Sequence, residues 1–134
     1  MAVGITFKNG DCINAIAYYK DVFGLDKPCK VIKYSDFIQF NHPDDVKDRV
    51  YMSSIDIYGN KIYLSDTTID ENLIEGNNVK IVIETTSDNL YTAYMNFRKD
   101  SKITFEPQKL NNKLVTTLID KYDITWQFIA ELTN

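Results

Sequence analysis

The order of predicted elements occurs twice in this chain, and that repetition constrains the fold more than any other feature. Each half is predicted to contain a strand, a helix and then three strands, and a polar segment at about 67–78 separates the halves. Neither half carries enough apolar surface to stand alone, so we expect both to share one structure. The sequence predicts an α+β protein of two βαβββ modules, at about 1–66 and 79–134, in a single domain.

The first half begins with an alternating apolar pattern and then changes to a helical one. Asp11 is predicted to cap the helix, and Gly24 to end it. Three strands are predicted to follow, at 29–34, 49–57 and 61–65, with a turn at Gly59-Asn60. The apolar residues of the first strand and the helix are Val3, Ile5, Phe7, Cys12, Ile16, Tyr19 and Phe23.

The second half repeats this order. A strand at 79–83 precedes a helix that Ser87 or Asp88 is predicted to cap, and a short strand at 103–105 is predicted to stop before Pro107. Strands at 113–119 and 124–131 then form a closing hairpin that turns at Tyr122-Asp123. Because side chains alternate along a strand, we expect Trp126 to face the helix and Gln127 the opposite side.

Composition and charge argue against some classes of function. Of the 134 residues, 44% are hydrophobic, which is typical of a globular protein, and the net charge of −4 argues against nucleic-acid binding. No apolar run is long enough to span a membrane, and no signal peptide is recognised, so we expect a cytoplasmic protein with reduced thiols. Cys12 is interpreted as a buried, inert thiol; the alternative is a pKa lowered by the helix N-terminus.

Three stretches resemble motifs of PhnB-like proteins of the glyoxalase/bleomycin-resistance/extradiol-dioxygenase superfamily, which has the vicinal oxygen chelate fold. Residues 14–24 (NAIAYYKDVFG) are similar to the helix "EAIEFYKEVFG", 57–66 (IYGNKIYLSD) to the strand pair "IGDSRLMLSD", and 120–128 (DKYDITWQF) to the ending "DKFGVTWQI". The resemblance implies paired βαβββ modules that each curl into a half-open cup, and a homodimer. The last motif commonly has Gly where this chain has Asp123, which tolerates a left-handed turn.

Metal-dependent members of this superfamily bind a divalent ion with His and Glu side chains from the first and last strands of each module. Carried over individually, those positions fall at or beside Gly4, on Tyr63, on Val79 or Lys80, and on Gln127. Gly has no donor, Lys brings positive charge to a cation, and neutral Tyr and Gln are weak ligands. The resemblance therefore implies that the usual metal site is missing.

Two other positions bear on the metal. PhnB-like proteins often carry a His in the third strand, where this chain has Met52, which is soft and apolar. The sole histidine, His42, lies in the segment 42–45 beside two aspartates, where a solvated loop is favoured over a weak chelate. We therefore predict that the protein binds no metal and no other cofactor.

Two hypotheses on function stay open. The first is a metal-free homodimer that binds a small, planar organic ligand; Tyr34 and Trp126 are further candidates to line its pocket. The second is a lyase-, isomerase- or transferase-like enzyme that uses a non-standard metal site or a carboxylate base, with Glu84 and Glu131 as candidates. The predicted ligand-binding residues of the first hypothesis are Tyr51, Met52, Tyr63 and Gln127.

Overall fold

The computed structural model describes residues 1–37 and 46–132. The chain divides into two compact units, Met1–Glu75 and Gly76–Asn134. Among the described residues, each unit has one α-helix and one four-stranded sheet, in the order strand, helix, three strands. The prediction of an α+β fold with two βαβββ modules is therefore confirmed.

The first unit places its first strand beside its last. The elements are β1 (Val3–Phe7), α1 (Cys12–Phe23), β2 (Val31–Lys33), β3 (Val50–Ile57) and β4 (Asn60–Asp66). The sheet order is β1-β4-β3-β2, with β1 parallel to β4 and the other pairs antiparallel. Apolar residues that alternate along the three long strands are buried on the face toward α1, which contacts β3 and β4.

The beginning of α1 depends on a residue far away in the sequence. Asp11 is at the predicted N-cap position, but its side chain makes no capping hydrogen bond, so that part of the prediction is wrong. The amide of Cys12 instead donates to Oδ1 of Asp66, at 3.0 Å. At the other end, Gly24 adopts a left-handed conformation with φ 65°, which confirms the predicted stop.

The second unit has the same topology. The elements are β5 (Lys80–Thr85), α2 (Ser87–Phe97), β6 (Lys102–Leu110), β7 (Lys113–Ile119) and β8 (Thr125–Glu131). The sheet order is β5-β8-β7-β6, with β5 parallel to β8. The rings of Trp126 and Phe128 stack at 6.0 Å between centroids and pack against Phe97 of α2, and all three side chains are wholly buried.

Three local predictions are corrected by the structure. The cap of α2 is Thr86, whose hydroxyl accepts from the amide of Asn89, and not Ser87 or Asp88. Strand β6 continues through Pro107 to Leu110, because β6 is an edge strand whose pairing with β7 is irregular at this point.

The third correction concerns the turn between β3 and β4, predicted at Gly59-Asn60. The residues with positive φ are Tyr58 and Gly59, at 52° and 90°, so the turn begins one residue earlier. In the last hairpin the turn at Tyr122-Asp123 is confirmed, and Asp123 adopts φ 63°.

No described helix is long and apolar enough to cross a membrane.

Candidate functional site

A groove of about 510 Å³ lies in the first unit. Thr6, Met52 and Tyr63 come from three neighbouring strands, and they alternate with residues that are buried against α1, so they project from the opposite face of the sheet. The groove is therefore built mainly on the sheet surface that the helix leaves uncovered. Its lining residues are Thr6, Tyr34, Tyr51, Met52, Tyr63, Leu64, Ser65, Asp66, Thr67 and Thr68.

A β-bulge at the start of β3 gives this groove two adjacent side chains. Val50 and Ser53 are both buried, whereas Tyr51 and Met52 between them are both exposed, which strict alternation forbids. The pairing of β2 with β3 shifts register at the same place. The extra residue lets Tyr51 and Met52 both reach the uncovered side of the sheet.

Tyr51 lies in an aromatic corner of the groove. Its ring meets the rings of Tyr34 and Phe37 edge-on, at centroid distances of 5.6 and 4.8 Å. The Tyr34 hydroxyl donates to the backbone oxygen of Asp66 at 3.0 Å. Burial and the nearby Asp66 carboxylate raise the pKa of Tyr34, so its hydroxyl stays protonated.

Asp66 is a buried carboxylate that connects the groove to the helix. Oδ1 accepts from the amide of Cys12 at 3.0 Å, and Oδ2 accepts from the amide of Val50 at 2.9 Å. Burial raises the pKa of Asp66, while these two hydrogen bonds act in the opposite direction. Since both oxygens accept from backbone amides, the carboxylate has a structural role in joining β4 to α1 and β3.

Cys12 is chemically inert in this position. Its side chain is wholly buried, and Sγ lies 3.9 Å from the hydroxyl of Ser53. Burial, with a smaller effect of the Asp66 carboxylate, raises the pKa of the Cys12 thiol to about 12. The prediction of a buried, inert thiol is confirmed, and the alternative of a lowered pKa is wrong. Within the described residues both cysteines are free thiols.

An ion pair holds the wall of the groove that follows β4. The Arg49 guanidinium makes two hydrogen bonds to the Asp70 carboxylate, at 2.6 and 3.1 Å, and a third to the backbone oxygen of Thr67 at 2.9 Å. The amide of Asn9 also donates to Asp70, at 2.9 Å. These contacts tie the segment that carries Thr67 and Thr68 to the start of β3.

The predicted ligand-binding residues belong to both units. Tyr51, Met52 and Tyr63 line the groove together with Tyr34. Gln127 is on β8 of the second unit, where it is half-buried on the face opposite Trp126. Trp126 was also a candidate for the pocket, and that prediction is wrong because its ring is wholly buried beside Phe97.

The positions carried over from metal-dependent proteins have side chains that are weak metal ligands or none. Gly4 lies opposite Tyr63 across the parallel pair of β1 and β4. In the second unit, the residue opposite Gln127 is Val82, whereas Lys80 lies opposite Thr125, two residues earlier. Within the described residues no three His, Cys, Asp or Glu side chains come together as a metal site, and His42 lies outside those residues.

The two candidate bases are solvent-exposed. Glu84 projects from the exposed side of β5, between the buried Ile83 and the half-buried Thr85. Glu131 ends β8 and forms an ion pair with Lys113 at 3.4 Å. Neither carboxylate is buried, although the hypothesis of a carboxylate base expects burial.

Sequence reasoning missed the hydroxyl groups of the groove. Thr6, Ser65, Thr67 and Thr68 all line it, although only the aromatic residues and Met52 were singled out. The run Ser65-Asp66-Thr67-Thr68 directly after the alternating pattern of β4 is the signal that points to them, since four polar residues in succession at a strand end favour a site over a packed core.

Solved structures share the fold of this chain. The chain has the fold of the glyoxalase/bleomycin resistance protein/dioxygenase proteins, as a structure from Nocardioides shows, with a TM-score of 0.56, 14% identity and coverage of 100% of this chain and 85% of that chain. It is likewise similar to the PhnB protein from Bacillus cereus, with a TM-score of 0.69, 14% identity and coverage of 97% and 98%. The implied resemblance is thereby confirmed for the fold.

A third structure of this fold contains a metal. FosX, a fosfomycin resistance protein from Listeria monocytogenes, matches with a TM-score of 0.63, 12% identity and coverage of 98% of this chain and 90% of that chain, and its structure holds Mn(II) and a dihydroxypropylphosphonic acid. Identities this low establish the fold and leave the activity open. No protein-family model and no curated protein matches the sequence.

Proposed function

We propose that this chain is a metal-free, small-molecule-binding protein that acts as a homodimer, and that the groove of the first unit takes a small, planar organic ligand. The observation that carries the proposal is the groove itself, where the rings of Tyr34, Tyr51 and Tyr63 and the thioether of Met52 surround about 510 Å³. Cavities of about 300–1,000 Å³ with aromatic walls and a few polar groups are typical ligand sites.

The chemistry of the walls favours a flat ligand with polar edges. Aromatic rings and a flexible thioether bind the faces of a planar molecule without demanding one shape. The hydroxyls of Thr6, Thr67 and Thr68 supply hydrogen bonds at the rim. The one ionisable carboxyl among the lining residues, Asp66, already accepts two backbone amides, so a neutral ligand suits the groove best.

Gln127 is proposed as a further ligand contact, on the sheet of the second unit. Its amide is half-buried on the face opposite Trp126, and a primary amide can both donate and accept a hydrogen bond. The absence of a metal is proposed because the positions carried over, Gly4, Tyr63, Val79 or Lys80, and Gln127, offer no imidazole and no carboxylate. Val82, which lies opposite Gln127, offers none either.

The alternative is an enzyme that works through a carboxylate base or a non-standard metal site. The Mn(II) in FosX supports it, because that protein has the same fold. The exposure of Glu84 and Glu131 weighs against a carboxylate base. For this reason binding without chemistry is the favoured function.

Methyl NMR of methionine tests the proposal, because the chain has three methionines and one of them lines the groove. In protein labelled at the methionine methyl groups, we expect indole, quinoline or acridine to shift the signal of Met52. The signal of Met95, which is 50% exposed on α2, is the internal control and should not move. An unchanged Met52 signal with all three probes would contradict the proposal.

A matched pair of tyrosine variants locates the binding. Tyr51 lines the groove and Tyr91 lies on α2, and both side chains are 46% exposed. Tyr51→Ala should weaken the binding of the responding probe by about three- to tenfold, since an aromatic contact contributes ~0.5–1.5 kcal/mol. Tyr91→Ala should leave it unchanged; equal affinities in the two variants would show that the groove is not the site.

A further inference from the structure

A second cavity, of about 430 Å³, lies in the first unit between the end of α1, the segment 25–29 and the turn from β3 to β4. It shares no lining residue with the groove. Part of its wall is apolar, from Leu25, Pro28 and Ile55, and the ring of Tyr58 adds a flat surface. A concave apolar surface with polar groups around it is the usual form of a ligand site.

Three lysines, Lys20, Lys27 and Lys61, line the same cavity. Among the described residues, no carboxylate lies within salt-bridge distance of any of them. Nζ of Lys61 lies 5.7 Å from the ring centre of Tyr63, a contact that does not neutralise its charge. The cavity therefore has cationic groups that no carboxylate of the described chain compensates by direct contact.

Two carboxylates also line the cavity. Asp56 accepts a hydrogen bond from the amide of Gly59 at 2.8 Å, so it holds the turn, and Asp26 is exposed. Three lysines against two aspartates leave a net positive charge. Since opposite charges attract across a partly desolvated cavity, this balance favours an anion.

The backbone at Tyr58 is an independent sign that its ring is needed. A large aromatic residue at φ 52° is strained, and Asn, Asp or Gly would occupy this turn position at lower cost. The ring is half-buried and meets Phe23 edge-on, at 5.7 Å between centroids. Strained backbone positions are concentrated at functional sites, and this one forms a wall of the cavity.

We propose that this cavity binds a small organic anion with a flat, apolar body. The body packs against Leu25, Pro28 and Tyr58, and the anionic group lies toward the lysines. The site is separate from the groove and takes the opposite kind of ligand, a charged one instead of a neutral one. It stands or falls independently of the function proposed for the groove.

Cys29 is a natural reporter for this cavity. Its half-buried thiol lines the cavity, whereas Cys12 is wholly buried, so a neutral thiol reagent such as dithiodipyridine should react with Cys29 alone. We expect naphthoate to slow this reaction. Naphthalenemethanol, which has the same ring system and no charge, should not slow it at equal concentration. No protection by naphthoate, or equal protection by the alcohol, would overturn the proposal.

Lysine variants show where the protection arises. The double variant Lys27→Gln/Lys61→Gln should weaken the apparent affinity for naphthoate by about tenfold, because it removes two positive charges that attract the carboxylate. The matched double variant Lys102→Gln/Lys109→Gln removes the same charge from β6, whose residues do not line the cavity, and should change the affinity less than about twofold. Cys29 also borders a neighbouring cavity that lacks Lys27 and Lys61, so protection that survives their removal would overturn the proposal.

Tyr58→Asn separates binding from folding. Asn adopts a left-handed conformation readily, so the turn should persist even though the contact with Phe23 is lost. We expect the circular dichroism of the folded protein to be retained and the affinity for naphthoate to fall. A folded Tyr58→Asn variant whose Cys29 is protected by naphthoate as in the wild type would contradict the role of the ring.

Discussion

Asp120 is the residue that organises the closing hairpin. Its Oδ1 accepts from the amides of Tyr122 and Ile124, at 2.8 and 3.1 Å, and its Oδ2 accepts from Nε1 of Trp126 at 2.9 Å. These hydrogen bonds to both oxygens offset the cost of burying the carboxylate. It fixes the turn in which Asp123 has a positive φ, and it satisfies the only polar atom of the Trp126 side chain.

Substitutions at two neighbouring positions of β8 should lower stability by very different amounts. Trp126→Ala removes a wholly buried ring, and we expect the free energy of unfolding to fall by about 3–5 kcal/mol. Gln127→Ala truncates a half-buried side chain on the other face and should cost less than about 1 kcal/mol. Urea unfolding measures both. If Trp126→Ala unfolded like the wild type and Gln127→Ala did not fold, the facing of β8 would be inverted.

The ion pair between Arg49 and Asp70 should make stability depend on pH in acid. Hydrogen bonds from Arg49 and from the amide of Asn9 lower the pKa of Asp70 to about 2 from its ordinary 3.8. Between pH ~2 and ~4 the unfolded chain therefore binds more protons than the folded protein. The stabilisation by this ion pair is complete above pH ~4 and is lost as the pH falls toward 2.

The Asp70 dependence is measured by urea unfolding at a series of pH values. Asp70→Asn and Arg49→Met should each reduce the loss of stability between pH ~4 and ~2, because each removes the same interaction. Asp66 is not part of this effect, because burial raises its pKa; its contribution therefore has the opposite sign and falls as the pH rises. If both variants lost stability in acid as steeply as the wild type, the ion pair would not be the cause.

At the scale of elements, the periodicity of apolar residues predicted those elements that depend on residues close together in the sequence. Alternating and helical apolar patterns predicted both helices and the closing hairpin. When one face of a helix or strand is buried, apolar residues recur along the sequence with the period of that element. The cap that Asp66 gives α1 was missed, because the contact joins residues 54 positions apart. The extension of β6 through Pro107 was missed as well. A strand accepts a proline at the edge of a sheet, and the sequence does not show that β6 is an edge strand.

The candidate site was likewise predicted only in part, because some of its features depend on contacts between residues that are distant in the sequence. Tyr51, Met52 and Tyr63 were identified from residue type and resemblance, and they do line one groove. That Tyr51 and Met52 project together depends on a bulge in the pairing with β2, which no local pattern reveals. Thr67 and Thr68 enter the groove because Arg49 holds the segment behind them, and such an ion pair is invisible in the sequence.

The cap of α2 gives a test at this scale. The Thr86 hydroxyl accepts from the amide of Asn89, so Thr86→Ala should lower the free energy of unfolding by about 1 kcal/mol. Ser87, one of the two predicted caps, is instead the first residue of the helix, and Ser87→Ala should be nearly neutral. Chemical denaturation of the two variants compares them directly. A larger loss in Ser87→Ala than in Thr86→Ala would show that the helix begins one residue later.

For the whole molecule, the first prediction is its metal content. The positions opposite one another on the paired strands are Gly4 with Tyr63 and Val82 with Gln127, which offer no imidazole or carboxylate. Protein purified without chelator should therefore contain no stoichiometric transition metal by elemental analysis. About one Zn, Ni, Fe or Mn per chain would contradict this and would favour the enzymatic alternative.

The second prediction for the whole molecule is its oligomeric state. In the described part of the chain, the sheets end in strands with one unpaired side, among them β5 and β6 of the second unit. Apolar side chains along and beside these strands are exposed: Val79, Val82, Phe105 and Leu110. Free strand edges and exposed apolar side chains favour association with a second chain.

We therefore expect light scattering at micromolar concentration to give about twice the chain mass of 15.5 kDa. Val82→Lys places a charge on the edge strand β5, where Val82 is 43% exposed, and should shift the protein toward the monomer. Tyr91→Lys introduces the same charge on α2, at a side chain of similar exposure, and should leave the dimer intact. A wild-type mass of 15.5 kDa would rule out the homodimer; a dimer that Tyr91→Lys but not Val82→Lys dissociates would place its interface on the helix.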